Sequence, residues 1–194
     1  MVKVLLTGFE PFGKARLNPS GEIVKQIHGE NIVTAILPVA YTRSAAVLLA
    51  LIEEHKPDVV ISLGQAEGRT QITPERIAIN LDDSHLADNE GILRSDLPII
   101  VGGPIAYEST LPIKECVDAI RASGVPAAVS LSAGAFLCNH IFYVVQDKLR
   151  GTDVRSGFIH VPLMDEQVQD FPGLPTMPLD QMVSAIRRLL QVLE

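Results

Sequence analysis

Tryptophan is absent from this chain of 194 residues, tyrosine occurs three times and cysteine twice. Two thiols far apart, with no export signal ahead of them, exclude a disulfide framework, and both are expected to be reduced. Positive charge is also scarce. Lys and Arg number 16 against 23 Asp and Glu, a net charge of −7, and they gather no further than pairs such as Arg187 and Arg188. A nucleic-acid partner needs a basic face, which this sequence does not offer. The five histidines are scattered and neither CxxC nor HExxH appears, so there is no ligand spacing for zinc or another metal. The longest apolar runs, such as residues 44–52, are far too short to span a membrane, and no membrane role is expected. No basic–apolar–small cleavage pattern precedes the first apolar segment, so a cytoplasmic protein is expected.

What is present fits a folded chain. Apolar residues make up 47% and charged residues 20%, which excludes a disordered protein, and the length suits one domain over 1–194. Five short segments are apolar almost throughout: 2–8, 32–39, 58–64, 127–132 and 157–162. Unbroken apolarity marks strands covered on both faces. Between them lie amphipathic stretches of helical length at about 19–28, 43–55, 112–123, 138–150 and 179–193. Strands alternating with helices predict an α/β protein, a three-layer α/β/α sandwich around a largely parallel, mixed sheet. Segment 76–81 alternates and is a candidate for the mixed-sheet strand. Residues 82–110, rich in Asp, Asn, Gly and Pro, read as a long loop or short hairpin, of the kind that forms lids, binding loops or contact surfaces.

In such a sheet, ligands gather beyond the carboxyl ends of the strands. Residues 8–13, 64–75, Cys138 and His160 are expected there together. Small residues and a glycine precede an apolar-periodic helix that starts at about Cys138. A thiol on a first helical turn faces unpaired N–H groups and the positive end of the helix dipole, which favours thiolate. The plain alternative is a small apolar filler. A thiolate nucleophile needs a histidine base. His140 lies about 200° around the helix from Cys138 and should point away, as a packing or capping residue. His160, in an apolar run, must find a partner and is the better base. For the orienting carboxylate the choices are Glu75, Asp82 and Asp83. The aspartates follow segment 76–81 at its far end and should lie away from the site, whereas Glu75 sits on the rim. Its plain alternative is an ion pair with Arg69 or Arg76.

The blocks TGFEPFG (7–13), NPS (18–20), LGQAEGRTQITPERIAIN (63–80), SAGAFLCNHIFY (132–143) and FIHVP (158–162) together resemble the pyroglutamyl-peptidase I, or pyrrolidone carboxyl peptidase, family of intracellular cysteine peptidases. The resemblance implies an α/β/α fold, no metal or organic cofactor, and a homo-oligomer, commonly a tetramer. It also implies peptide substrates bearing N-terminal pyroglutamate, and a Glu75–Cys138–His160 triad. Phe9 and Phe12 are then aromatic walls for a neutral lactam, and Phe136 and Leu137 flank the thiol on the substrate side. Gln65 offers a donor and an acceptor to the lactam amide. Asn18 either reaches the substrate or caps the helix before Pro19, and the Cys138 backbone N–H is the natural oxyanion donor. Two positions depart from the family pattern: His85 stands where arginine is usual, with Arg94 a possible substitute charge, and Ala135 where threonine is frequent. Rival readings are phosphate-cradling loops at 8–13 and 64–68, a redox-sensing thiol at Cys138, and a binding module that would tolerate loss of Cys138.

Overall fold

The structure, a computed structural model, describes Met1–Leu193. Along the chain run β1 (Val4–Phe9), α1 (Pro19–Gln26), β2 (Ile32–Leu37), α2 (Tyr41–His55), β3 (Val59–Gln65), β4 (Thr73–Glu75), β5 (Ile77–Ile79) and β6 (Ala106–Glu108). They are followed by α3 (Ile113–Ala122), α4 (Leu137–Leu149), β7 (Arg155–Val161), β8 (Leu163–Met164), a 3₁₀ turn at Asp165–Gln167, β9 (Thr176–Met177) and α5 (Leu179–Gln191). Five strands form the central sheet in the order β2–β1–β3–β7–β4. All neighbours are parallel except β4, which runs antiparallel to β7.

The sheet is covered on both faces, which explains its unbroken apolar strands. Val4, Leu6, Val59, Ile61, Leu63, Ile159 and Val161 pack against one helical layer, formed by α1, α3 and α5. The alternate residues Leu5, Phe9, Val60 and Phe158 pack against the other, formed by α2 and α4. Helix α1 is opened by Asn18, whose Oδ1 accepts from the Ser20 N–H, with Pro19 in the first turn. It lies so close to β1 that a Cβ on Gly8 would sit 2.4 Å from the Ser20 carbonyl oxygen. Among the described residues no helix is long and apolar enough to cross a membrane.

Two expectations about strands need correction. Residues 127–132 do not form a regular strand. They run parallel beside β4, with Ala128 N–H donating to Ile72 O at 3.2 Å, Ser130 N–H to Pro74 O at 3.0 Å and Arg76 N–H to Ser130 O at 2.8 Å. The ladder survives only as separate bridges at Ile72–Ala127 and Glu75–Ser130. Pro74, between them, has no N–H to give. Segment 76–81 does not join the central sheet: β5 pairs with β6 in a separate antiparallel ribbon. The antiparallel member is instead the three-residue, proline-bearing β4.

The long segment 82–105 is fastened to the rest rather than loose. Asp88 Oδ2 accepts the Tyr41 N–H at 2.9 Å and so caps α2 from outside its own helix. Asn89 donates to Glu10 Oε1 and to Pro11 O, both at 3.0 Å, tying the segment to the turn after β1.

Candidate active site

Because β1, β3 and β7 are parallel, their carboxyl ends lie side by side, with Gly64 in register with His160. Gly64 has no side chain for a reason that can be measured. A Cβ there would meet the Phe158 ring at 2.7 Å and the Cys138 Sγ at 2.9 Å. The thiol therefore rests on bare β3 backbone, on the Phe158 face of the sheet. His160, two residues beyond Phe158 on the same strand, faces that way too, its ring 4.9 Å from that of Phe158. Gly64→Ala should cost about 1–3 kcal/mol of stability by overpacking and displace the thiol. Loss of Cys138 alkylation together with a lowered Tm checks it.

Helix α4 begins one residue before Cys138. Its N-cap is Phe136, whose carbonyl takes the His140 N–H at 3.1 Å. The N–H groups of Leu137, Cys138 and Asn139 thus have no acceptor within the helix. The helix terminus does not make Cys138 a resting thiolate, however. Burial, helped by the negative charge of Glu75, pushes its pKa up to about 12, outweighing Arg69 and its own backbone N–H. The expectation of a favoured thiolate is not met, because desolvation is the largest influence on this thiol.

His160 is 4% exposed and its Nδ1 lies 2.7 Å from Glu75 Oε1. Burial lowers the His160 pKa below its usual value against the raising effect of Glu75, and Arg69 lowers it further. Glu75 is fully buried. Burial alone would raise its pKa, but the hydrogen bond and charge of His160, with Arg69, hold it below the usual carboxylate range. Arg69 Nη1 approaches the same Oε1 at 2.6 Å, and also bonds the Thr73 hydroxyl, while its Nη2 donates to Ser132 O at 3.0 Å. Glu75 thus combines the two roles weighed for it, ion pair and imidazole partner, and its Oε2 has no hydrogen-bond partner among the described residues.

A small apolar pocket opens beside the thiol, lined by Phe9, Phe12, Asn18, Val39, Gln65, Phe136, Leu137 and Cys138. Every pocket residue singled out in the sequence is in this wall. Val39 was missed, since a valine after an apolar strand carries no signal of its own. Phe12 and Phe136 face each other at 6.0 Å between ring centres. Asn18 lines the cavity with its polar atoms already engaged: Oδ1 accepts from Ser20 N and Oγ, and Nδ2 donates to Glu10 O. Gln65 differs from expectation as well. Its Oε1 accepts from Gln167 Nε2 at 2.9 Å, so only its Nε2 remains, with Glu67 Oε1 at 3.5 Å as its one hydrogen-bond partner among the described residues.

His140 and Asp82 belong to another cluster. His140 Nδ1 lies 2.9 Å from Asp82 Oδ2, to which Arg94 Nη1 donates at 2.7 Å. Arg94 is also stacked on the Tyr41 ring, 4.4 Å from its centre. Asp83 is exposed and bonds the Ser95 hydroxyl, and His85 is exposed. Arg94 is therefore spent on Asp82 rather than on the thiol. Cys116 is buried in α3 on the opposite face of the sheet. Among the described residues no group of three His, Cys, Asp or Glu side chains is placed to hold a metal ion.

The chain resembles known proteins over nearly its whole length. A family model described as pyroglutamyl peptidase matches residues 2–193. The pyrrolidone-carboxylate peptidase of Aliivibrio fischeri is 49% identical over 191 residues, covering 96% of this chain and 90% of that one. That of Bacillus licheniformis is 50% identical, covering 95% and 89%. The crystal structure of pyroglutamyl peptidase I from Bacillus amyloliquefaciens superposes with a TM-score of 0.93 at 45% identity, covering 97% of this chain and 92% of that one. A mutant pyrrolidone carboxyl peptidase from the hyperthermophile Pyrococcus furiosus superposes at 0.92 with 40% identity, covering 98% and 97%. An apolar pocket at a half-buried thiol, a carboxylate-bound histidine on the neighbouring strand, and matches spanning nearly the whole chain converge: this protein is a peptidase and belongs to the pyroglutamyl peptidase family.

Proposed function

We propose that the chain removes N-terminal pyroglutamate from peptides, with Cys138 as nucleophile, His160 as base and Glu75 as the carboxylate that orients it. The observation that carries this reading is the shared corner at Gly64, where an apolar cavity, the thiol and the imidazole-bearing strand end meet. Pyroglutamate is uncharged at its ring, and the lining of aromatic and aliphatic side chains contains no carboxylate for an α-ammonium. Phe9, Phe12, Phe136 and Leu137 take the ring faces, and Asn18 holds the wall through its cap.

At rest the thiol and imidazole are both neutral, as their opposite shifts require. With Nδ1 held by Glu75, Nε2 is the atom that takes the Cys138 proton as sulfur attacks the scissile carbonyl. The imidazolium so formed is stabilised by Glu75, and the oxyanion by the unpaired N–H groups at the start of α4. His160 then protonates the leaving amine, and water, activated by the same imidazole, releases pyroglutamate from the acyl-enzyme. A peroxide-sensing role fits poorly, because a thiol pushed up to about 12 holds little thiolate. Dye release from a pyroglutamyl conjugate, with a prolyl conjugate as control, tests the reading. Turnover of the first and not the second supports it, and inertness toward both sinks it.

The acid limb of kcat/KM gives a further test. Activity needs neutral His160, so it falls as pH drops through that group's pKa. Because burial holds this pKa below the ordinary 6.5, the limb should lie below pH 6.5. Glu75→Gln removes the raising influence and leaves the lowering ones, so the limb should move further down. The rate itself should fall on the order of 10²-fold or more, as the imidazolium loses its partner. A limb that moves upward in this variant would remove Glu75 from the triad.

A cytoplasmic location and self-association, as a tetramer, complete the proposal. Both cysteines are free. Val101 is 89% and Ile105 88% exposed, with Leu93 and Leu97 also uncovered in the same segment, the kind of apolar surface that copies of a chain bury between them. Sedimentation of the purified chain as a monomer at micromolar concentration would overturn the association.

A further inference from the structure

Resting on the pyroglutamyl reading, we propose that Gln167 is a positioning residue. It decides which atom of the Gln65 amide faces the cavity, and thereby makes the pocket a donor for a ring carbonyl. The polarity follows from two backbone groups whose roles are fixed. Met164 N–H can only donate, and it lies 3.1 Å from Gln167 Oε1. Leu17 C=O can only accept, and it lies 3.0 Å from Gln167 Nε2. The Gln167 amide is therefore locked in one orientation, fully buried and without rotational choice. Its second N–H must go to an acceptor, and the atom 2.9 Å away on Gln65 is consequently the oxygen.

Gln65 then has one orientation left to it. Its carbonyl is engaged by Gln167, and its NH₂, on a residue that lines the same pocket as Cys138, has one weak partner among the described residues, the exposed Glu67. A donor at that position suits the lactam C=O. It opposes the cationic ring nitrogen of a prolyl residue, which brings further donors and no acceptor. The arrangement comes from the chain segment just after the strand that carries His160: β7, β8 and the 3₁₀ turn place base and orienting amide in one stretch. A glutamine inside a short turn gives no sequence sign of this role.

The test is a double-mutant cycle. Gln65→Leu should lower kcat/KM for a pyroglutamyl dye conjugate about 5- to 150-fold, the effect of one lost hydrogen bond in a dry pocket. Gln167→Met, which removes the orienting donor, should lose about 5- to 50-fold, and the double variant should be no worse than Gln65→Leu alone. Multiplied losses would show a merely structural role and overturn the proposal. Gln167→Glu guards against misfolding, since it keeps the size and the acceptor for Met164. Assayed on the alkaline side, where its carboxylate is ionised, it turns the Gln65 oxygen toward the cavity and should lose at least as much as Gln65→Leu. It should also narrow the pyroglutamyl-to-prolyl ratio. Unchanged kcat/KM in Gln167→Glu would sink the proposal even if the methionine variant fails to fold. A wild-type chain inert toward the pyroglutamyl conjugate would instead remove the reading beneath it.

Discussion

Cys138→Ala is expected to lower pyroglutamyl-conjugate hydrolysis by about 10⁵-fold or more while leaving the fold intact, since removal of a nucleophile from a cooperating set costs nearly the whole catalytic effect. The loss on folding is small because the change deletes one sulfur at a cavity wall. Cys116→Ala should behave in the opposite manner. That side chain is buried between α3 and the sheet, in the layer away from the cavity, so its loss reads out in Tm and leaves kcat/KM within about twofold. Both thiols are pushed up to about 12 by burial, so ionisation alone does not distinguish them. Position does. Cys138 has an imidazole-bearing strand beside it and an open cavity before it, whereas Cys116 has neither. Inactivation by iodoacetamide should therefore track modification of Cys138. Tracking with Cys116 instead would sink the assignment.

The layered fold was legible because the inner strands of the central sheet are buried on both sides and each helix on one. Those constraints write continuous apolarity at Val4–Phe9 and Val59–Gln65 and a strong stripe in Leu179–Gln191. What stayed illegible depends on partners distant in sequence. β4 is three residues long and contains a proline, so neither periodicity nor propensity marks it. It is a strand because β7 supplies the ladder. Residues 127–132 have a strand's composition, yet Pro74 across from them interrupts the pairing.

The site divides along the same line. Cys138, His160, Glu75 and the pocket residues lie at strand ends and glycine turns, where topology forces convergence. The polarity of the Gln65 amide is set by Gln167, 102 residues away, and could not be read locally. The ionisation of Cys138 was misjudged for a related reason. A helix start is visible in sequence, but the depth of burial that opposes it is a property of the packed molecule.

The two buried histidines near α4 provide the sharpest remaining contrast. His160→Ala should lower kcat by about 10⁵-fold, because nucleophile and base act as a unit. His140→Ala should retain substantial turnover. Each imidazole is bonded through Nδ1 to a fully buried carboxylate, His160 to Glu75 at 2.7 Å and His140 to Asp82 at 2.9 Å, so each resembles half of a triad. They differ in what lies at the other end. His160 stands in register with Gly64, against which the thiol is packed. His140 shares a helix with Cys138 but is turned about 200° around it, edge-on to the Tyr41 ring. Losing His140 leaves Asp82 paired with Arg94 alone and should cost about 1–3 kcal/mol of stability. Alkylation separates catalysis from folding here. Iodoacetamide should modify Cys138 far more slowly in His160→Ala, which has lost the group that accepts the thiol proton, and at the wild-type rate in His140→Ala. Equal slowing in both variants would mean that the second histidine also reaches the sulfur, and the assignment of a single base would fall.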